Sequence, residues 1–135
     1  MSFVIAMALL FAGGEVNYIP AKDVNAAMVK APPAPIIKVD NYSVMAIRRT
    51  EAGQSEVHEK DTDVFYVIDG AATFTTGGSM IEGKSTGPGE IRGAGIREGK
   101  GRRIAKGDVL TIPAGTPHWF SAVESSVTYF VVKVR

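Results

Sequence analysis

The sequence is most informative near its C-terminus, where residues 107–120 read Gly107-Asp108-Val109-Leu110-Thr111-Ile112-Pro113-Ala114-Gly115-Thr116-Pro117-His118-Trp119-Phe120. The short apolar run after the Gly-Asp pair is typical of a buried strand. A turn is predicted at Pro113-Ala114-Gly115, because Pro fixes φ and Gly readily adopts positive φ. The residue before Pro117 is held out of the helical region, so the chain returns to extended structure. We therefore expect a strand, a tight corner and a second strand that begins near His118.

Length and composition fit one domain with one core. The chain has 135 residues, of which 45% are hydrophobic and 21% charged, both within the ordinary globular range. Fifteen Lys and Arg against fourteen Asp and Glu leave a formal charge of +1. This balance argues against a nucleic-acid partner, which would favour a concentrated basic face. Because the chain contains no cysteine, disulfides and thiolate metal sites are excluded.

Residues 1–14 form an apolar N-terminal segment with two interpretations. The run at residues 2–10 is too short for stable membrane insertion, since a spanning helix needs about 20 residues. Its length matches the core of a signal peptide, and Ala12-Gly13-Gly14 offers small residues for cleavage, which favours a secreted or periplasmic protein. The alternative is an N-terminal strand that packs on the barrel or on a partner subunit.

Residues 15–41 predict a short helix and a stiff connector. Residues 18–30 have an amphipathic pattern, with Pro20 in the first turn and Val24, Ala27 and Met28 on one face. The Pro-rich run at residues 31–35 ends the helix, because Pro cannot continue it. A brief strand is expected at residues 36–39.

Residues 42–135 have the character of a β domain. Alternating, β-branched and aromatic segments at residues 42–50, 64–68, 71–76 and 127–134 predict strands. Asp69-Gly70 and Gly77-Gly78 predict the turns between them. Many short strands, Gly and Pro corners and little helix indicate an all-β sandwich or barrel.

Residues 78–106 are rich in Gly and Arg, and two structures suit them. Backbone N–H groups and guanidinium groups, that of Arg92 among them, could cradle an anion. The alternative is a long hairpin with strands at residues 90–96 and 102–104, leaning over the barrel mouth or against another subunit. The hairpin is favoured, because no helix pattern follows these glycines as a phosphate-binding loop would require.

Residues 107–118 resemble the second sequence motif of the cupin superfamily, which reads Gly, five residues, Pro-x-Gly, two residues and His. Gly107, Pro113, Gly115 and His118 occupy all four positions. The Asn that usually follows four residues later is replaced by Ala122. The resemblance implies a double-stranded β-helix, the jelly-roll barrel, over residues 42–135, and many such barrels are homodimers.

Residues 53–70 resemble the first cupin motif less closely. His58 and Gly70 match, and Asp63 occupies the position at which the family has Glu. Lys60 stands at the second His position, and by strand alternation we expect positions 58 and 60 to face the barrel interior. The resemblance implies one divalent ion (Fe, Zn, Mn or Ni), held by three imidazoles and a carboxylate. This chain has only two His, so the full ligand set cannot form.

Two interpretations of the metal question follow. In the first, His58, Asp63 and His118 form a reduced site of two His and one carboxylate. Glu56 is then a possible replacement carboxylate, because it shares the strand face of His58. Lys60 would in that case turn outward or act as a base or anion partner for substrate. In the second, Lys60 pairs with Asp63 and no metal binds. The resemblance leaves both open.

Several functions are compatible with these residues. Inward-facing Tyr66, Phe120 and Arg92 are predicted to line a pocket for a small, partly apolar molecule. An enzyme would use the metal on a small acid or carbonyl compound, with Lys60 or Glu56 handling protons, or with Lys60 acting as a nucleophilic amine. The alternatives are a metal-free barrel that binds a small molecule without turnover and a structural role as a homodimer.

Overall fold

The structure is a computed structural model that describes residues 13–135, so most of the apolar segment 1–14 and both of its interpretations lie outside the described residues. These residues form one helix, α1 (Ala21–Met28), and eleven strands. The strands are β1 (Ile37–Lys38), β2 (Tyr42–Arg49), β3 (Ser55–His58), β4 (Thr62–Thr76), β5 (Ser79–Ile81), β6 (Lys84–Gly87), β7 (Glu90–Gly93), β8 (Gly95–Arg97), β9 (Lys100–Ala105), β10 (Val109–Ile112) and β11 (His118–Val134). Among residues 13–135, no helix has the length and apolar character needed to cross a membrane.

The short N-terminal helix is confirmed. Pro20 caps it in an extended conformation, and its carbonyl accepts hydrogen bonds from the backbone N–H groups of Asp23 and Val24. None of the residues in α1 is buried. Packing on the core therefore contributes little to this helix.

Two long strands, β4 and β11, form the framework of the molecule. They pair antiparallel from Thr62–Val134 at one end to Thr76–His118 at the other. Register shifts at three places in β11 let both strands bend and join neighbours on two sides. The outer edge of β4 pairs with β10 and β9, whereas β11 pairs with β2 and, at His118, with β3. The all-β expectation is confirmed: the fold is a double-stranded β-helix, the jelly roll.

The core lies between the curved faces of this framework and is aromatic at its centre. Phe65, Phe74, Phe120 and Tyr129 are buried and contact one another, with ring centroids 4.8 Å apart for Phe74 and Phe120 and 5.0 Å for Phe120 and Tyr129. Phe120 and Tyr129 are an odd number of residues apart, so it is the register shifts between them that bring both rings to this inner face. The interior beyond these rings remains open as a cavity.

The corner between β10 and β11 folds as predicted from residues 107–120. Gly107 and Gly115 both have positive φ, +91° and +81°, which L side chains rarely adopt. The side chain of Asp108 accepts a hydrogen bond from the N–H of Ala105 at 2.8 Å and closes the preceding turn. The N–H of Gly115 donates to the carbonyl of His58 at 2.7 Å. This last bond ties the corner to the end of β3.

The prediction of one long hairpin in residues 78–106 was wrong. The predicted strand at 90–96 is split at Ala94 into β7, which pairs with β3 and β6, and β8, which pairs with β5. The third segment, β9, pairs with β4. The split follows from close packing, since a Cβ at Gly93 would lie 2.5 Å from the carbonyl oxygen of Ile81. Gly93, Gly95 and Gly99 allow such close packing, whereas a Cβ at Gly87 would meet nothing within 4 Å.

Candidate metal centre and cavity

The two His side chains meet inside the barrel, although 60 residues separate them in the chain. His58 is the last residue of β3 and His118 is the first of β11. The backbone of His118 pairs with Glu56, and the corner before it bonds to His58. Both side chains are buried, and the centroids of their rings lie 5.0 Å apart.

His118 presents an unprotonated nitrogen to the interior. Its Nδ1 lies 2.9 Å from the carbonyl oxygen of Thr116, an acceptor only, so Nδ1 carries the proton. Burial lowers the pKa of His118, because the charged ring would lose its hydration. The ring is therefore neutral and Nε2 has a free lone pair. Within residues 13–135 this buried Nε2 has no hydrogen-bond partner.

His58 is oriented by a carboxylate. Its Nδ1 lies 2.6 Å from Oε2 of Glu90, which occupies the position opposite His58 in the β3–β7 pairing. The opposite nitrogen, Nε2, therefore points towards His118 and lies 3.5 Å from Oδ2 of Asp63. A His that donates one N–H to a carboxylate and offers its other nitrogen inward is the usual arrangement of a metal ligand.

Glu56 completes a group that could hold a metal ion. Its Oε2 lies 3.7 Å from Nε2 of His58 and 3.8 Å from Nε2 of His118. One ligand atom from each of these three side chains falls within 4.8 Å of the others. Ligands at about 2.1 Å around a tetrahedral ion would be about 3.4 Å apart, slightly closer than these atoms. The residues present fit a divalent ion with N and O ligands.

Asp63 reaches the same place but is already paired. Its Oδ2 lies 3.9 Å from Nε2 of His118, and both of its oxygens accept hydrogen bonds from Nζ of Lys133, at 2.8 and 3.0 Å. In contrast, Arg92 contacts Oε1 of Glu56 and leaves Oε2 facing the imidazoles. Of the two carboxylates, Glu56 has the freer ligand atom.

Lys60 faces outward, one of the two positions considered for it. Strand β3 ends at His58, so the alternation that would have turned position 60 inward stops before reaching it. The Lys60 side chain is exposed and its stem lies over Gly89, between β6 and β7. The predicted pairing of Lys60 with Asp63 is replaced by that of Lys133.

A cavity of about 560 Å³ is lined in part by Glu56, His58 and His118, the three residues that could hold a metal ion. Of the three residues predicted for a substrate pocket, Arg92 and Phe120 line this cavity. Tyr66 does not: its side chain is 49% exposed and it neighbours Val109 across β4 and β10, on the outer face. The apolar part of the wall includes Met45, Ile47, Phe65, Phe120, Tyr129 and Val131.

Three charged residues of this cavity, Arg49, Glu90 and Lys133, were missed in the sequence. Lys133 and Arg49 each carried a signal, since alternation from Val131 and from Ile47 turns them to the inner face. Glu90 carried none. It meets His58 only through the pairing of β7 with β3, 32 residues apart in the chain.

Comparison with known proteins agrees with this architecture. A family model described as Cupin matches residues 31–135. No curated protein sequence matches the chain.

Three solved structures illustrate the structural likeness. Protein NMB1881 from Neisseria meningitidis has a TM-score of 0.60 at 13% identity, over 88% of this chain and 100% of that one. KdgF from a Halomonas species has a TM-score of 0.52 at 20% identity, over 76% of this chain and 78% of that one. The DMSP lyase DddQ from Ruegeria pomeroyi has a TM-score of 0.52 at 15% identity. The match covers 72% of this chain but only 40% of the DddQ chain. At these identities the likeness concerns the fold alone.

Proposed function

Because this chain belongs to the cupin family, we propose that it is a metal-dependent enzyme that acts on a small organic acid or carbonyl compound. One divalent ion would be held by His58, His118 and Glu56. The substrate would occupy the adjoining cavity of about 560 Å³. One structural neighbour is a DMSP lyase, so catalysis is compatible with this fold.

The observation that carries the proposal is the bare nitrogen of His118. A buried polar atom without a partner is costly, and native proteins rarely keep one without a use. Among the described residues, Nε2 of His118 is that atom, and Nε2 of His58 and Oε2 of Glu56 converge on the same point. A bound cation would satisfy all three.

The residues around this point have separate roles. A bound divalent ion supplies Lewis-acid activation of a carbonyl or carboxyl oxygen. Glu90 and the carbonyl of Thr116 fix the orientation of the two imidazoles. Asp63 would accept a proton from substrate and become a neutral carboxylic acid, and the Lys133 ammonium beside it holds the carboxylate in position before that transfer. Glu56 acts as a ligand in this scheme, and Lys60 has no role.

A metal-free binding barrel is the second candidate, favoured by the charge balance of the cavity. Three cationic side chains line it, Arg49, Arg92 and Lys133, and three carboxylates, Glu56, Asp63 and Glu90. The cavity is therefore electrically neutral without an ion when both His are neutral. In this case the barrel holds a small molecule and no turnover occurs.

Elemental analysis of protein purified without an affinity tag separates the two candidates. The enzyme proposal expects close to one equivalent of Fe, Zn, Mn or Ni in the parent and none in the His58→Ala/His118→Ala variant. The loaded parent is then incubated with small carboxylic acids and carbonyl compounds, and turnover is expected to disappear in the variant. Failure to bind any of the four ions after reconstitution would leave only the metal-free candidate.

A further inference from the structure

Arg49 is a cationic residue of the cavity to which the proposed function gives no role. It is the last residue of β2, and its guanidinium lies over the ring of Phe120, 5.0 Å from the centroid. Its Nε donates a hydrogen bond to the hydroxyl of Tyr129 at 3.0 Å. A stacking contact and one hydrogen bond hold the planar group at the cavity wall, close to Gly53, and neither Nη nitrogen has a hydrogen-bond partner among residues 13–135.

The other two cations of the cavity differ, because each already has a carboxylate. Arg92 pairs with Glu56 and Lys133 pairs with Asp63. Within residues 13–135, Arg49 forms no ion pair, and its only side-chain hydrogen bond is the one to Tyr129. A fixed guanidinium with free donors, no counter-charge and an apolar surface behind it is suited to binding an anion from outside the chain.

We propose that Arg49 is the anion-binding residue of this cavity and that the ligand is a small carboxylic acid with an apolar body. Its carboxylate would bind the Nη groups of Arg49, and its body would lie against Met45, Ile47 and Val131. The proposal deepens the proposed function by naming the substrate class. It rests on that function only in taking this cavity as the ligand site.

The charges favour a carboxylate over a phosphate. Arg49 carries one positive charge, which balances the single negative charge of a carboxylate bound to its guanidinium fork. A phosphate dianion would bring a second negative charge into a cavity whose other cations are already paired with Glu56 and Asp63. A divalent ion at the metal group would add two positive charges, so a metal-loaded cavity would hold a carboxylate more tightly than a metal-free one.

The test uses benzoate with the full chain after removal of metal by chelation. Trp119 is the only Trp in the chain and lines the same cavity, so its fluorescence reports binding, with calorimetry as a second readout. Benzamide serves as the neutral analogue and phenyl phosphate as the dianionic one. The variants are Arg49→Met, Arg49→Lys and, as a matched control, Arg48→Met, because Arg48 is exposed and lies outside the cavity.

We expect benzoate to bind the parent and Arg48→Met equally, and Arg49→Met about 10- to 100-fold more weakly, as for the loss of a hydrogen-bonded charged partner. Arg49→Lys keeps the charge but loses the fork, so its affinity should fall between those two. Benzamide should bind the parent as weakly as benzoate binds Arg49→Met. If Arg49→Met fails to fold, the test is the benzoate affinity of Arg49→Lys against that of the parent, with an unchanged thermal unfolding midpoint showing that Arg49→Lys is folded.

Equal benzoate affinity in the parent and Arg49→Lys, or tighter binding of benzamide or phenyl phosphate than of benzoate, would overturn the proposal. The outcome is independent of the proposed enzyme activity. Benzoate binding that depends on Arg49 in a protein that takes up no metal would sink the metal-dependent enzyme and leave this inference standing. Metal uptake without benzoate binding would overturn this inference and leave the metal-dependent enzyme standing.

Discussion

Removing the Glu90 carboxylate should weaken metal binding without altering any metal ligand. Glu90 accepts the hydrogen bond from Nδ1 of His58 at 2.6 Å and thereby turns Nε2 towards Glu56 and His118. Loss of such an outer partner commonly lowers metal affinity by about 10- to 100-fold. Because the Glu90 side chain is 34% exposed, water can replace part of its effect. We therefore expect Glu90→Ala to weaken binding by about tenfold, or about 1.4 kcal/mol.

The conservative variant gives a second, independent value. Glu90→Gln retains an acceptor for His58 but loses its charge, and hydrogen bonds to charged partners are roughly twice as strong as neutral ones. About half of the free energy should then be lost, which corresponds to roughly threefold in affinity. If Glu90 orients His58, metal affinity should decrease in the order parent, Glu90→Gln, Glu90→Ala.

The assay is a competition titration of Zn²⁺ against a chromophoric chelator at fixed pH. Glu124→Gln is the matched control, because Glu124 is also an exposed acid in an ion pair, with Arg103, and does not line the cavity. Its Zn²⁺ affinity should equal that of the parent. Parent-like Zn²⁺ affinity in Glu90→Ala would refute the argument that the Glu90 hydrogen bond directs Nε2 of His58 towards the ion.

Three further predictions concern the core, alkaline stability and association. Phe74→Ala removes a ring that is fully buried between Phe65 and Phe120, and denaturant unfolding should show a loss of about 3 to 5 kcal/mol. Burial raises the pKa of Tyr129 to about 12, above its unfolded value of about 10. The neutral phenol therefore stabilises the fold below pH 10, and this contribution is lost between about pH 10 and 12; Tyr129→Phe should show a flatter decline of unfolding free energy in that window. Tyr66 and Val109 are neighbours on the outer face and 49% and 65% exposed, so we predict a homodimer through this patch. Sedimentation should give twice the 14.3 kDa of one chain for the parent and the mass of one chain for Tyr66→Ser/Val109→Ser.

Local sequence predicted the corner at residues 107–118 because its determinants are local. Gly107 and Gly115 adopt positive φ in the structure, and Pro113 fixes the turn between two strands that neighbouring residues already favour. His118 was accordingly expected at the start of a strand, and β11 begins there. No contact between distant segments was needed to reach that result.

The direction of the Lys60 side chain could not be predicted from alternation, because it depends on where β3 ends. Alternation holds only while the strand continues, and β3 stops at His58. The next residue, Glu59, donates its N–H to the carbonyl of Gly89 in the β6–β7 connection. That partner lies 30 residues further along the chain, so the sequence near Lys60 could not decide whether its side chain turns inward or outward.

Contacts between distant strands decided the rest of the site. Alternation along β11 places Lys133 on the inner face, but that it meets Asp63, 70 residues away, follows only from the pairing of β11 with β4. The same holds for Tyr129 and Arg49, which come together through the pairing of β11 with β2. The side chains could be assigned to a face from sequence, whereas their partners required the register of the sheet.

The pairing of the carboxylates explains how a metal site is compatible with only two His. Had Lys60 faced inward, its ammonium would have stood beside the ion and opposed binding. The inward ammonium instead belongs to Lys133, which engages both oxygens of Asp63 and so cancels the charge of the carboxylate at the family's usual ligand position. Glu56 contacts Arg92 through Oε1 only, and its Oε2 stays directed at His58 and His118. In the proposed site the ligand carboxylate would therefore come from β3 and not from β4, on the same strand as His58, where residues two apart share a face.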